Sequence, residues 1–177
     1  MKKNFVVLLC LIIVGCSNLS FNERYYNVGW GKVIIAPFTG DFANIAETEF
    51  EHALGISSKL LVVTSSMTLT LLSENNLSKL YSNEPYKALF ILAEKINAQG
   101  VVFGKVSGTV PVNGSRGSIT LSSAEIYVKL VDVASNSIVA SSHHKSSSVL
   151  SVTGTLIQDV SLEAIDDFYQ YFTNITN

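Results

Sequence analysis

The chain has 177 residues, 47% of them hydrophobic and 15% charged, with a formal net charge of −2 at pH 7. That length suits one folded domain able to bury about two-thirds of its unfolded-chain surface. The slight acidic excess excludes nucleic acid and a polybasic attachment to anionic lipid as electrostatic partners.

The first element is a leader. Lys2-Lys3 precede an apolar run from Phe5 to Val14, and Gly15 closes it, which is the order of a secretory signal peptide. The run is about half of the ~20 residues a membrane-crossing helix needs. Cys16 follows at once, and Ile13-Val14-Gly15-Cys16 resembles the bacterial lipobox. That resemblance implies a chain cut before Cys16 and acylated on its thiol; the rival is an ordinary secreted protein with a free Cys16. Ser17, rather than Asp, after the cysteine implies the outer membrane. Cutting there removes Lys2, Lys3 and Cys10, leaving ten basic and fourteen acidic residues, a charge of −4. With Cys16 capped no thiol remains, so a disulfide, a Cys-ligated metal and a Cys nucleophile are excluded. Two acyl chains would anchor stably, each buried methylene giving roughly 0.8 kcal/mol.

Ser17 to Gly31 is polar and aromatic without clear periodicity and reads as a tether. Extended, it reaches at most about 50 Å; as a coil it spans nearer ~22 Å. Tyr25, Tyr26 and Trp30 are expected to pack on the domain rather than lie in lipid.

Lys32 to Phe38 is a predicted strand, ended by Pro37, which cannot donate to a ladder. Asp41 is placed as N-cap of a helix whose stripe is Phe42, Ile45, Ala46, Phe50, Ala53 and Leu54. Glu47, Glu49 and Glu51 are expected mostly toward solvent, and Gly55 at the helix end. Lys59 to Thr64, apolar on both faces, reads as a strand covered on two sides. A short helix capped by Ser65 or Ser66 runs to Asn75. Another begins at Asn83-Glu84-Pro85, with Leu89, Leu92, Ala93 and Ile96 buried.

Val101 to about Val110 is a central strand, and Asn113-Gly114 marks a turn. Ile119 to Val133 is a long strand whose alternation slips at Leu130-Val131, predicting a bulge or a face change. Ile138 to about Val149, rich in Ser, suits a sheet edge. A helix from about Thr155 to Phe172 buries Ile157, Val160, Ala164, Phe168 and Phe172. The expectation is a single α/β domain, a mixed β-sheet of about five strands packed by three to four helices. Residues 1–15 are the signal peptide, 16–31 the lipidated Cys16 and tether, and 32–174 the domain.

Four stretches carry a family resemblance: Val33-Ile34-Ile35-Ala36-Pro37-Phe38; Leu61-Val62-Val63 with Leu71 to Ser78; Ala93 to Gly104; and Val128 to Val133 with Ile138-Val139-Ala140-Ser141. In this order they resemble the curli-secretion lipoprotein (CsgG) family. Its relatives include lipoprotein activators of penicillin-binding proteins and the Pel polysaccharide-export lipoprotein. Gln99 stands where the family often has Asp, and Asn136 where it often has Gly. The resemblance implies a fold like the amino-terminal domain of TolB. It implies a non-enzymatic, often ring-forming role in building or exporting envelope structures, on the periplasmic side of the outer membrane. Only Ser107 to Val131 could form a membrane-barrel hairpin, and its turn is Gly- and Ser-rich, so a spanning pore is not expected. The tether is short for an activator of a cell-wall synthase, which must reach through the wall. A compact export component fits best, with that adaptor or a flagellar accessory lipoprotein as alternatives.

No catalytic or metal constellation emerges, and no cofactor is expected. His143 and His144 are adjacent in a strand and point to opposite faces, so they cannot share an ion. His52 lies beside Glu49 and Glu51 on a solvated helix face. Gly114-Ser115-Arg116-Gly117 lacks the nucleophile-elbow pattern. Asp166 and Asp167 read as adjacent surface carboxylates. Asp132, inside an apolar strand, needs partners: either backbone amides of the following turn or a subunit contact.

Overall fold

The computed structural model describes residues 16–57, 59–110, 121–149 and 151–176. The expected signal peptide and the expected Asn113-Gly114 turn lie outside them. Six strands form one mixed sheet: β1 (Cys16–Phe21), β2 (Lys32–Ile35), β3 (Leu61–Val63), β4 (Gly100–Thr109), β5 (Ser122–Asp132) and β6 (Ile138–Ser148), in the spatial order β1-β6-β5-β4-β2-β3. Five helices pack on it: α1 (Ala43–Ser57), α2 (Ser65–Glu74), α3 (Ser78–Asn83), α4 (Pro85–Lys95) and α5 (Thr153–Thr176). The single α/β domain is as expected, with one more strand and one more helix.

The extra strand corrects the tether. Cys16 to Phe21 pairs antiparallel with β6 along its whole length, Cys16 opposite Lys145 and Phe21 opposite Ala140. A 3-10 turn at Glu23–Tyr25 follows, capped by the Asn22 side chain accepting from the Arg24 N–H. Asn27 and Gly29, both at positive φ, then donate their N–H groups to the Asn174 and Ile175 carbonyls at 2.7 and 2.8 Å. Those are carbonyls that the end of α5 would otherwise leave unpaired. Trp30 is buried, edge-on to Tyr25 at 5.9 Å and packed over Gly100. The segment is therefore part of the fold, and β6 is an interior strand rather than the expected edge.

The slip in β5 is real. Ala124, Ile126, Val128 and Leu130 alternate into the core, and the pairing with β6 shifts between Leu130 and Val131. β4 is central, as predicted. β3 is not covered on two sides: it is a three-residue edge strand with Leu61 exposed.

Two cores sandwich the sheet. On one side α1 and α5 bury Phe50, Phe168 and Phe172 against Val102, Ile126, Val128 and Leu130. The rings run edge to face from Phe38 to Phe50 (5.3 Å), to Phe168 (5.8 Å) and to Phe172 (5.9 Å). That geometry adds to what area burial alone contributes. On the other side α2 and α4 bury Leu72, Leu89, Leu92 and Ala93 on Ile34 and Val101. Pro85 begins α4, where its missing N–H costs nothing. Thr64, not Ser65 or Ser66, caps α2, accepting from the Met67 N–H at 3.3 Å. Helix α1 continues past Gly55 to Ser57, and two of its acids turn inward. Glu47 accepts from the Phe38 N–H at 2.7 Å and the Ser65 hydroxyl at 2.5 Å, and Glu51 from the Ser65 N–H at 2.5 Å. These bonds tie the end of β2 and the start of α2 to α1. Gly104 is required where Phe38 crosses β4, since a Cβ there would collide with the ring.

Candidate functional site

Three places carry chemistry. The first is where Cys16 meets the fold. Cys16 is the first residue of β1, so no spacer separates it from the sheet. Because β1 is antiparallel to β6, Cys16 lies toward the end of the sheet where β4 and β6 finish and β5 starts.

The second is a cleft beyond the carboxyl end of β2. That strand lies between β3 and β4 and runs parallel to both, with α1 packed on one face and α2 to α4 on the other. Such a switch point is where open α/β sheets accept ligands. The cavity here measures about 260 Å³. Pro37, Tyr81, Tyr86 and Phe103 wall it, and Lys105 and Lys129 stand at its side. The Lys129 ammonium sits 5.0 Å from the Tyr86 ring centre and 5.4 Å from that of Phe103, a cation–π clamp. Burial, and then the Glu47 carboxylate, hold the Tyr81 phenol above its ordinary range. No carboxylate, histidine or cysteine lines the cleft among the described residues. It offers a ligand apolar faces, phenol hydroxyls and two cations.

The third is buried between β6 and α5, and sequence reasoning missed it. Ser142 donates its hydroxyl to Asp167 Oδ2 at 2.5 Å. His144 Nε2 meets the same oxygen at 2.7 Å, and His144 Nδ1 meets Glu163 Oε2 at 2.9 Å. Asp167 is therefore not a surface carboxylate; Asp166 is exposed. The residue types are those of a hydrolase triad, but the wiring is not. Ser142 bonds the carboxylate rather than the imidazole, and both ring nitrogens are occupied, so no base faces the hydroxyl. Each ring nitrogen of His144 faces a carboxylate oxygen, so the ring bridges Asp167 and Glu163. The cluster works as a staple between strand and helix. Its signal was Ser142-x-His144 on one strand face and Glu163-x-x-x-Asp167 on one helix ridge.

His143 points the other way and pairs with Glu125 at 2.8 Å, while His52 is exposed on α1. No group of three or more His, Cys, Asp or Glu side chains among the described residues is arranged so that it could hold a metal ion. Asp132 is buried and serves the turn after β5. Its Oδ2 accepts from the Ser135 N–H at 2.8 Å and the Ser135 hydroxyl at 2.6 Å, and that hydroxyl is 2.8 Å from Tyr25 Oη. No helix among the described residues is long and apolar enough to cross a membrane.

These features define a six-stranded α/β domain with a cleft at the end of β2 and a structured amino-terminal strand. No family model matches the chain, and no curated protein matches it. Solved structures do. The PelC dodecamer from Paraburkholderia phytofirmans is similar at a TM-score of 0.57 and 13% identity, covering 87% of this chain and 96% of that one. A single-substitution variant of that dodecamer, in another crystal form, gives 0.56 over 87% and 97%, also at 13% identity. The hypothetical protein CT253 from Chlamydia trachomatis gives 0.51 at 16% identity, over 81% and 98%. At such identities the likeness is one of fold.

Proposed function

We propose that this chain is a non-enzymatic lipoprotein of the outer membrane's periplasmic face. In this reading it self-associates as a structural component of an apparatus that exports or assembles envelope material. The observation that carries the reading is the placement of the lipobox cysteine as the first residue of β1, on a domain that shares its fold with PelC. The dodecameric state of PelC supports self-association. A domain with no spacer after Cys16 stays beside the bilayer, which favours a membrane-proximal component over an adaptor reaching for a cell-wall synthase. Asp132 enters through the exposed turn it holds, at Ala134 to Ser137, which we assign to the contact with a neighbouring copy.

Cys16→Ser tests the anchor: the variant should move from the membrane fraction to the soluble periplasm, and retention in the membrane would overturn the reading. Self-association is tested by sizing a chain that starts at Ser17, with and without detergent. Starting at Gly31 would delete β1 and confuse misfolding with dissociation. A strict monomer at high concentration would refute the assembling component.

A further inference from the structure

Strand pairing sets cations and rings in alternation beside the cleft at the end of β2. Val102, Val106, Ile126 and Val128 face the core under α1 and α5. The residues between them, Phe103 and Lys105 on β4 and Tyr127 and Lys129 on β5, therefore rise from the other face. The antiparallel register puts Phe103 opposite Lys129 and Lys105 opposite Tyr127. Each lysine faces a ring, and the two lysines are diagonal neighbours, about 7–8 Å apart at the backbone. The ion pairs among the described residues use neither of them. Lys129 turns onto the Tyr86 and Phe103 rings instead. Two neighbouring acids are engaged elsewhere. Glu47 accepts from the Phe38 N–H and the Ser65 hydroxyl. Glu125, in the shallow hollow next to the cleft, meets His143 at 2.8 Å.

We propose that this cleft binds an organic carboxylate carried on a single ring. The ring would lie among Pro37, Tyr81, Tyr86 and Phe103, and the carboxylate would bridge the ammonium groups of Lys105 and Lys129. Three observations converge on it. The place is the carboxyl end of a strand flanked on both sides by parallel neighbours, where open α/β sheets accept ligands. Its charge is one-sided: two cations without a lining acid repel each other, and an anion between them relieves that repulsion through charge-assisted hydrogen bonds. Its size fits one ring, since clefts for drug-sized ligands start at about 300 Å³ and this one holds about 260 Å³. Aromatic walls favour a body with a flat apolar face over a bare inorganic anion, which would leave them unused. The site lies within the folded domain, so it stands or falls independently of the anchor and of self-association.

The test uses the mature protein in a neutral detergent, with 4-fluorobenzoate as the probe and its fluorine NMR line as the readout. The line should broaden as protein is added. That of 4-fluorobenzylamine, the same ring bearing a cation, should not. Lys105→Gln, at an exposed position, should weaken binding about tenfold, the worth of one charge-assisted hydrogen bond. Tyr86→Ala, which removes a wall that is 52% exposed, should weaken it too. Lys95→Gln, at the other end of α4, should leave it unchanged. Circular-dichroism melts show that each variant is folded before it is titrated. Galacturonate then separates two sources of a ring acid. Displacement of the probe places the ligand among uronic acids and retention places it among aryl acids; either upholds the site. A line that stays sharp, that broadens equally for the amine, or that ignores Lys105→Gln overturns the proposal. So does equal displacement by inorganic phosphate, which would make the lysines a sink for any anion.

Discussion

The two edges of the sheet are built in opposite ways. β3 is three residues long and leaves Leu61 59% exposed, so it ends the sheet by being too short to recruit another strand. β1 is six residues long, and it is fastened. Phe21 stacks on Tyr171 of α5 at 5.4 Å with the rings 13° from parallel, and the chain beyond it closes the last carbonyls of α5. The strand it pairs with carries the Ser142–His144 side of the buried staple. One edge is a boundary, and the other is a joint through which the amino terminus, β6 and α5 hold one another.

If β1 is that joint, its removal should cause the largest effect. Relative to the chain from Ser17, a chain beginning at Gly31 loses five residue pairs, the Phe21 stack, the Asn27 and Gly29 bonds and buried Trp30. At about 0.5–1.5 kcal/mol per hydrogen bond, the loss should be several kcal/mol, a large share of a domain's stability. Denaturant unfolding against the chain from Ser17 checks this, and equal stability would return 17–31 to the status of a tether. Next comes Asp167→Ala, which strips the Ser142 hydroxyl and His144 of their shared acceptor inside the fold. Leaving a buried polar group without its acceptor costs about 1–3 kcal/mol. Asp166→Ala, one residue away and exposed, should shift stability by no more than about 0.5 kcal/mol. Equal effects at the two positions would remove the staple from the account.

What the sequence shows of these edges follows from what each depends on. β2, β4, β5 and the stripe of α5 are written in local periodicity, and even the Leu130-Val131 irregularity can be read from a broken alternation. β1 cannot. Cys16-Ser17-Asn18-Leu19-Ser20-Phe21 holds two large apolar residues, and its strand character comes from β6 and α5, far along the chain. The staple was hidden for the same reason. Asp167 sits on the flank of an apolar stripe, where a carboxylate ordinarily reaches water, and only the approach of β6 buries it. Glu47 and Glu51 repeat the pattern, drawn inward by N–H groups at the end of β2 and the start of α2. The cleft, too, needed the strand order before Pro37, Tyr86 and Lys129 could be brought together.

Alkaline pH separates the joint from the boundary with less force. Burial pushes the Tyr171 phenol up to about 12 from its ordinary 10.0, the Asp167 carboxylate adds to the rise, and a backbone hydrogen bond with Ser20 opposes it. The folded state therefore keeps the phenolic proton more tightly than the unfolded chain does. Its contribution is complete below pH 10 and drains away as the pH climbs to about 12. Wild-type stability should fall through that window, and Tyr171→Phe, which keeps the ring against Phe21, should flatten the fall. An unchanged slope would mean that the β1 joint does not enclose this phenol.

The smallest effect belongs to the other edge. Leu61→Ser alters a side chain already 59% in water, on a strand whose ladder partner among the described residues is β2. The isolated domain should change by no more than about 0.5 kcal/mol in denaturant unfolding. The same variant also tests whether β3 is a boundary of the assembly or only of the monomer. Self-association should be untouched if copies meet elsewhere, because a solvent-facing leucine contributes nothing to that contact. Should Leu61→Ser dissociate the oligomer while leaving the monomer's unfolding unchanged, β3 would be the strand that a neighbour covers, and the contact would move from the Asp132 turn to this edge.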